Sequence, residues 1–174
     1  MTWPVVIEVD SPAATKDVAA RLSRCCRSGD ILLLVGDLGA GKTAFAQGFA
    51  AALGVEGPVT SPTFTLVRQY RCDRPGPVEQ LIHADVYRTE SLDEVVDLSL
   101  AELVEERAVA LVEWGDRAAP ALGEDVLEVA LARPDPTSGS SDQERTIVIT
   151  GHGDWSGRAD EVAGVLAVGR ASLS

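Results

Sequence analysis

The sequence predicts an α/β fold of three layers, in which helices cover both faces of a mostly parallel central sheet. Two wholly apolar runs, 31–35 and 108–112, have the length of strands and the composition of strands buried on both faces, which is typical of parallel sheets. Helical patterns alternate with these strands along the chain. At 174 residues, we expect one domain, residues 1–174.

The first predicted elements are a short strand, Val5-Val6-Ile7, and a helix. Ser11 and Pro12 supply a cap residue and a proline at the first helical position, which are typical of a helix N-terminus. Apolar residues then recur at helical spacing until a turn near 28–29. The apolar strand 31–35 follows.

A glycine-rich loop begins where strand 31–35 ends, and a second helical pattern follows it. The loop matches G-x-x-x-x-G-K-[ST] with residues Gly36, Asp37, Leu38, Gly39, Ala40, Gly41, Lys42 and Thr43. The glycines let consecutive N–H groups point inward, and the following helix adds its positive end. These eight residues therefore predict a nucleotide phosphate site and a fold like that of the P-loop NTPases.

Two side chains of the loop have separate predicted roles. We expect Lys42 to reach the β and γ phosphates and the Thr43 hydroxyl to ligate Mg²⁺. The sequence has only one other lysine, Lys16, and the compact ammonium of Lys42 suits a phosphate cradle better than a guanidinium would. The Asn-Lys-x-Asp pattern that reads guanine is absent from the sequence, so the expected nucleotide is ATP.

The rest of the chain continues the alternation of strands and helices. Ser91 and Glu94 form a capping box, from which we expect one amphipathic helix to run to about Glu106. The other predicted elements are a strand near 64–70, strands 80–84 and 108–112, a hairpin of 126–132 and 146–150, and a closing helix from about 154 to 170.

Acidic residues follow two of the apolar strands. Asp85 comes after strand 80–84 and Glu113 after strand 108–112, so both should lie at the sheet edge where the phosphate loop opens. We assign Glu113 to the Mg²⁺ shell and Asp85 to the attacking water or the metal, which with Lys42 gives the predicted catalytic set. The alternative is that each acid only caps the turn after its strand.

Polar and aromatic residues near these acids are further candidates for the site. Thr63 lies in the hydroxyl-rich segment 60–65 and is the candidate sensor of the γ phosphate, although a turn entering a strand would have the same composition. His83 and Tyr87 flank Asp85 and are interpreted as packing or hydrogen-bonding residues. Trp114 would lie beside the nucleotide, against a partner, or partly buried as a structural residue.

The charge pattern bears on partners and location. The formal net charge is −12, and the basic residues form no run that could cover a phosphate backbone, so this chain alone should bind nucleic acid poorly. The acidity would serve solubility or steer a basic protein partner. The N-terminus has no basic start and the sequence no apolar run of spanning length, from which we expect a cytoplasmic protein.

Four motifs together resemble the TsaE family, small ATPases of bacterial threonylcarbamoyl-adenosine tRNA modification. They are GDLGAGKT at 36–43, TSPTFTL at 60–66, HADVYR at 83–88 and VEW at 112–114. The resemblance implies an ATPase that works with TsaB and TsaD, which install the threonylcarbamoyl group beside the tRNA anticodon. The tRNA would meet this chain only through that complex.

The resemblance also implies roles for single residues. It places Mg²⁺ on Thr43 and Glu113, ties Asp85 to hydrolysis, and suggests a nucleotide contact at Thr15 near the first helix. Two departures from the family concern backbone shape, since Ser99 stands where glycine is common and Gly115 follows Trp114 where proline is frequent.

Two other functions share the phosphate loop. A small-molecule kinase would use the same loop, but kinases usually bring an arginine-bearing lid over the phosphates and none is evident between Asp85 and Glu113. A non-catalytic binding module would use ATP to order segment 60–66 for partner docking, and the two acids argue weakly against it.

Overall fold

The computed structural model describes residues 3–62, 66–87 and 91–167. The strands are β1 (Val5–Val9), β2 (Ile31–Val35), β3 (Val67–Arg71), β4 (Gln80–Asp85), β5 (Ala108–Glu113), β6 (Val126–Ala132) and β7 (Arg145–Gly151). The helices are α1 (Pro12–Leu22), α2 (Lys42–Ala52), α3 (Leu92–Asp97), α4 (Leu100–Val104), α5 (Gly115–Leu122) and α6 (Ala159–Ala167). Short 3-10 helices at Ser23–Cys25 and Gly153–Arg158 follow α1 and precede α6.

The seven strands form one sheet in the order β1-β7-β6-β2-β5-β4-β3. The central strands β6, β2, β5 and β4 run parallel to one another. Antiparallel partners complete both edges, with β3 beside β4 at one edge and β7 and β1 beyond β6 at the other. The predicted α/β fold, with a mostly parallel sheet and a C-terminal hairpin plus helix, is therefore confirmed.

Strand β2 shows how the sheet separates two apolar cores. Its residues Leu32 and Leu34 pack with α1, α2 and α6, whereas Ile31 and Leu33 pack with α3, α4 and α5 on the opposite face. Successive side chains of a strand point to opposite faces, so one strand serves both layers. This explains why the sequence shows an unbroken apolar run here rather than an alternating one.

The prediction of a single helix over 91–106 is wrong. Ser91 caps a helix, and its hydroxyl accepts a hydrogen bond from the Glu94 N–H at 3.3 Å, but that helix, α3, is short. Ser99 adopts a left-handed backbone with φ of 52°, which no right-handed helix can continue through. The turn redirects the chain so that α4 starts with Leu100 buried against the sheet layer.

The closing helix also differs from its prediction. The chain is a 3-10 helix over Gly153–Arg158 and becomes α-helical only over Ala159–Ala167, whereas the prediction began near 154 and ended near 170, beyond the described residues. Trp155 inserts into the core at this point, and the guanidinium of Arg158 lies 3.5 Å from the centroid of its ring.

Within 3–62, 66–87 and 91–167, no helix is long and apolar enough to cross a lipid bilayer. The three cysteines, Cys25, Cys26 and Cys72, are free thiols packed in the core on the α1–α2 face.

Candidate active site

The glycine-rich loop joins the end of β2 to the start of α2. Gly36, Gly39 and Gly41 have φ values of 152°, 78° and 107°, a region that other residues rarely adopt. A Cβ on Gly36 would collide with the carbonyl oxygen of Leu131 in β6. Gly41 is the N-cap of α2, so the unsatisfied N–H groups of the first helical turn lie at this loop. The backbone therefore has the shape that an anion site requires.

Lys42 is buried within the loop that precedes it. The residue is 5% exposed, and Nζ donates hydrogen bonds to the carbonyl oxygens of Gly36 and, at 2.9 Å, Asp37. Nζ also lies 4.0 Å from the centroid of the Trp114 ring. Burial lowers the pKa of Lys42, and the negative charge of Glu113 is the largest influence that opposes this.

The two predicted acids lie side by side at the carboxyl ends of adjacent parallel strands. Asp85 ends β4 and Glu113 ends β5, and the two are directly paired in the sheet register. Since β5 also pairs in parallel with β2, the same sheet edge carries the start of the glycine-rich loop. Two neighbouring strands therefore bring both carboxylates to the loop, as expected for parallel α/β sheets.

Asp85 is held by two hydrogen bonds. One carboxylate oxygen accepts from the Ser61 hydroxyl at 2.8 Å, and the other accepts from the Tyr87 N–H at 2.9 Å. The second contact is the turn cap that the alternative interpretation described. The first connects the end of β4 to Ser61 in the hydroxyl-rich segment. Asp85 therefore caps the turn after its strand and also lines the cavity at the glycine-rich loop.

Glu113 is paired with a histidine inside the protein. The Oε1 atom of Glu113 lies 2.9 Å from Nε2 of His83, and both side chains are almost inaccessible to solvent. His83 precedes Asp85 by two residues on β4, so both project from the same side of the strand. An ionised carboxylate can only accept, in which case Nε2 donates and the pair fixes the orientation of Glu113.

Two aromatic side chains form one wall of the site. The ring centroids of Tyr87 and Trp114 lie 4.6 Å apart, with 39° between the ring planes. Trp114 has a left-handed backbone, with φ of 60°, and the next residue, Gly115, lies so close to Leu33 that a Cβ would approach it to 2.5 Å. Gly115 stands where the family often has proline, and because it has no side chain α5 can start against β2.

These elements enclose a cavity of about 590 Å³, a size typical of small-molecule sites. Seven of the predicted site residues line it, namely Leu38, Gly39, Gly41, Lys42, Thr43, Asp85 and Glu113. The other lining residues are Pro12, Ser61, Pro62, Leu66, Tyr87, Trp114 and Arg145. The structure therefore brings the phosphate loop and both acids together at one opening.

The remaining predicted residues lie elsewhere. Gly36, Asp37 and Ala40 line a second cavity of about 870 Å³ on the hairpin side of the loop. Thr15 does not line the first cavity, because it is buried in α1 and its hydroxyl donates to the Ser11 carbonyl at 3.4 Å. Thr63 lies outside the described residues.

Sequence reasoning missed the contribution of the hairpin β6–β7. Arg145, the first residue of β7, lines the cavity more than 100 residues after the glycine-rich loop. A lone arginine at the start of a strand has no local motif, and only the pairing of β6 with β2 brings the hairpin to the loop. The sequence identifies Pro12 only as a helix-start residue, and no sequence signal marks it as a cavity residue.

The oxygen donors at the cavity fit Mg²⁺ bound together with phosphates. Thr43 offers a hydroxyl, and Glu113 and Asp85 offer carboxylates. Among residues 3–62, 66–87 and 91–167, no cluster of three or more His, Cys, Asp or Glu side chains could enclose a metal. Mg²⁺ needs no such cage, because it is usually held by one or two carboxylates, phosphate oxygens and water.

The fold and this cavity define a class, the α/β proteins in which a phosphate-loop motif joins a central parallel strand to a helix beside strand-end carboxylates. Residues 9–144 match the family described as "Threonylcarbamoyl adenosine biosynthesis protein TsaE". The chain belongs to the TsaE family.

Individual relatives agree with this assignment. The Bacillus subtilis protein named "tRNA threonylcarbamoyladenosine biosynthesis protein TsaE" is 40% identical over 83% of this chain and 84% of its own length. The Streptomyces coelicolor protein of the same name is 38% identical over 83% of this chain and 95% of its own. The crystal structure of Bacillus subtilis YdiB superposes with a TM-score of 0.69 and 31% identity over 98% of each chain.

Proposed function

We propose that this protein is a Mg²⁺-dependent ATPase that supports threonylcarbamoyl transfer to the adenosine beside the tRNA anticodon, acting with TsaB and TsaD in the cytoplasm. One observation carries the proposal. Lys42, Thr43, Asp85 and Glu113, which come from three separate parts of the chain, line one cavity at the opening of a phosphate loop. The names of its relatives refer to tRNA threonylcarbamoyladenosine biosynthesis, and they support assigning the protein to that pathway.

The glycine-rich loop would bind the phosphates of ATP. Its backbone N–H groups and the N-terminus of α2 favour anions, and the Lys42 ammonium adds a full positive charge. Lys42 would exchange the carbonyl oxygens of Gly36 and Asp37, to which Nζ donates, for phosphate oxygens. This exchange relieves the cost of keeping an ammonium buried against neutral acceptors.

Thr43 and Glu113 would hold Mg²⁺, and the ion when bound would supply positive charge to the phosphate oxygens. Asp85 faces the same cavity and would orient the water that attacks the terminal phosphorus. Its carboxylate is already held by Ser61 and by the Tyr87 N–H, so little reorganisation is needed to align that water. The Tyr87–Trp114 wall would shield the reacting atoms from bulk solvent.

Reconstitution with TsaB, TsaD, threonylcarbamoyl-adenylate and tRNA tests the proposal. Sustained modification and phosphate release should depend on this chain, and Lys42→Ala and Glu113→Ala should each reduce both by at least about a hundredfold. Matched controls are Lys16→Ala and Glu105→Ala, which remove exposed side chains of the same types. Equal turnover by the Lys42→Ala variant would refute the proposed mechanism.

The same reactions separate the alternatives. A small-molecule kinase would leave a phosphorylated acceptor when acceptors are screened with ATP and no partner protein. A non-catalytic module would release phosphate no faster than its Lys42→Ala variant, even with TsaB and TsaD, while ATP still changed its affinity for them.

A further inference from the structure

Two arginines of the hairpin β6–β7 bind the backbone of the glycine-rich loop. Arg133 directly follows β6, and its Nε donates to the Gly39 carbonyl at 3.2 Å. Arg145 begins β7, and its guanidinium donates to the Ala40 carbonyl through Nε at 3.0 Å and to the Gly39 carbonyl through Nη2 at 3.1 Å. The Gly39 oxygen thus accepts from both arginines.

Arg145 also binds its own end of the hairpin. Its Nη1 donates to the carbonyl oxygens of Glu144, at 2.6 Å, and Asp142, at 2.5 Å. One planar guanidinium therefore joins four carbonyl oxygens, two on each of two segments that are far apart in the sequence. The planar fork of donors makes this possible, whereas a lysine ammonium could not span the same four acceptors.

These contacts complete a pattern along the loop. The carbonyls of Gly36 and Asp37 accept from Lys42, and those of Gly39 and Ala40 accept from the arginines. In a trans peptide unit the N–H points opposite to the C=O. Fixing the carbonyl of Ala40 toward Arg145 therefore directs the N–H of Gly41 away from Arg145, so that at this peptide unit the N–H, and not the carbonyl oxygen, is left for an anion.

We infer that Arg145, assisted by Arg133, is a positioning residue that fixes the anion-binding shape of the phosphate loop from the C-terminal hairpin. The guanidinium acts on the loop backbone, and the loop in turn binds phosphate. The consequence for nucleotide affinity rests on the proposed function, whereas the effect on loop order does not.

Hydrogen exchange at the Ala40 amide, which donates to the Asp37 carbonyl at 3.0 Å, shows without nucleotide how firmly Arg145 holds the loop, and NMR measures it. Arg145→Met should raise this exchange rate about tenfold, which corresponds to the loss of about 1.4 kcal/mol of local stability. Arg145→Lys keeps the charge but loses the fork, so its exchange should be nearly as fast. Arg71→Met is the control, because Arg71 is 88% exposed at the far edge of the sheet.

Binding of fluorescent ADP to the same variants completes the test. The Kd should rise about tenfold for both Arg145→Met and Arg145→Lys and less for Arg133→Met. Thermal unfolding and amide exchange in β2 show whether a variant retains the fold; if Arg145→Met does not, Arg145→Lys and Arg133→Met carry the test.

Two outcomes would overturn the inference. Unchanged exchange at the Ala40 amide in Arg145→Lys and Arg145→Met would show that Arg145 does not fix the loop, even if ADP binds more weakly. Full ADP affinity in Arg145→Lys would show that only charge matters. If the unaltered chain binds no nucleotide, the proposed function fails, and the exchange rates alone decide the inference.

Discussion

Lys42 has surroundings that act on its charge in opposite senses. Burial disfavours the ammonium, whereas the neighbouring acids, the two loop carbonyls and the Trp114 ring favour it. Burial is the stronger influence, because the pKa of Lys42 is lowered from 10.5. A buried cation that is only partly compensated is suited to binding a multiply charged anion, which supplies the missing counter-charge.

This imbalance predicts how stability depends on pH. The folded protein loses the Lys42 proton at a lower pH than the unfolded chain does, so the unfolded chain binds more protons between the two pKa values. The free energy of unfolding, compared with that of Lys42→Met, should therefore rise as the pH climbs from the lowered pKa toward 10.5. Urea titrations across alkaline pH measure this difference in the free energy of unfolding. If the difference falls as the pH rises, folding does not lower the pKa of Lys42.

His83 gives a second prediction at the scale of one residue. Its 2.9 Å contact fixes the carboxylate of Glu113, the proposed Mg²⁺ ligand, and residues that hold a metal ligand in place typically change metal affinity by about tenfold to a hundredfold. We expect His83→Leu to raise the Mg²⁺ concentration needed for half-maximal ATP binding by at least about tenfold. His83→Gln, whose amide can still donate a hydrogen bond to Glu113, should raise this Mg²⁺ concentration less.

The measurement is a Mg²⁺ titration of fluorescent ATP binding, with ADP binding in EDTA as the reference for loop integrity. Thermal unfolding separates loss of positioning from loss of the fold, since His83 is fully buried. An unchanged Mg²⁺ requirement in His83→Leu would mean that the His83–Glu113 pair serves packing only.

At the scale of elements, the sequence predicts best where one local pattern decides the structure. The wholly apolar run 31–35 has the length of a buried strand and forms one. Gly54, with φ of 79°, follows α2 in the left-handed conformation that glycine favours at a helix end. The break at Ser99 could not be predicted from local preference, because serine disfavours the left-handed region. It follows from tertiary packing, which buries Val95 in α3 and Leu100 in α4 on one core.

Ser99 therefore predicts a stabilising substitution. A left-handed backbone costs a non-glycine residue about 1–2 kcal/mol, and the Ser99 side chain makes no capping hydrogen bond that would be lost. The greater freedom of glycine in the unfolded chain offsets about 0.4–1 kcal/mol. Ser99→Gly should thus raise the free energy of unfolding by about 0.8 kcal/mol, within a range of about 0–1.6 kcal/mol, measured by urea titration.

The comparison for Ser99→Gly is Ser91→Gly. Ser91 is an extended N-cap whose hydroxyl binds the Glu94 N–H, so this change should destabilise by up to a few tenths of a kcal/mol, about the size expected for an N-cap. If Ser99→Gly also destabilises, the left-handed serine is not strained and the break in the helix has another cause.

At the scale of the whole molecule, the sequence predicted which residues of the loop and strand ends share a site, because parallel strands end at one edge. It could not predict that the hairpin reaches the same loop. The Arg145 contacts depend on β6 lying beside β2, a pairing between segments about 95 residues apart that no local pattern encodes. The Glu113–His83 pair was missed for a similar reason, since it needs the register of β4 against β5.

The distribution of charge over the whole molecule predicts that this protein does not hold tRNA by itself. The net charge is −12, and several arginines are already engaged within the chain. Arg74 donates to the Ala52 carbonyl at 3.0 Å, Arg158 pairs with Asp30 at 2.9 Å, and Arg145 binds loop carbonyls. Non-specific binding depends on cations that replace counterions along the phosphate backbone, and these guanidiniums do not offer that.

Fluorescence anisotropy with labelled tRNA at physiological salt should therefore show a Kd weaker than about 10⁻⁴ M for this protein alone. Lowering the salt should not produce binding, because the electrostatic interaction is repulsive overall. Adding TsaB and TsaD should give a stable signal if those subunits hold the tRNA. Micromolar binding that weakens steeply with salt would instead reveal a basic surface assembled by the fold, and would show that this protein contacts tRNA directly.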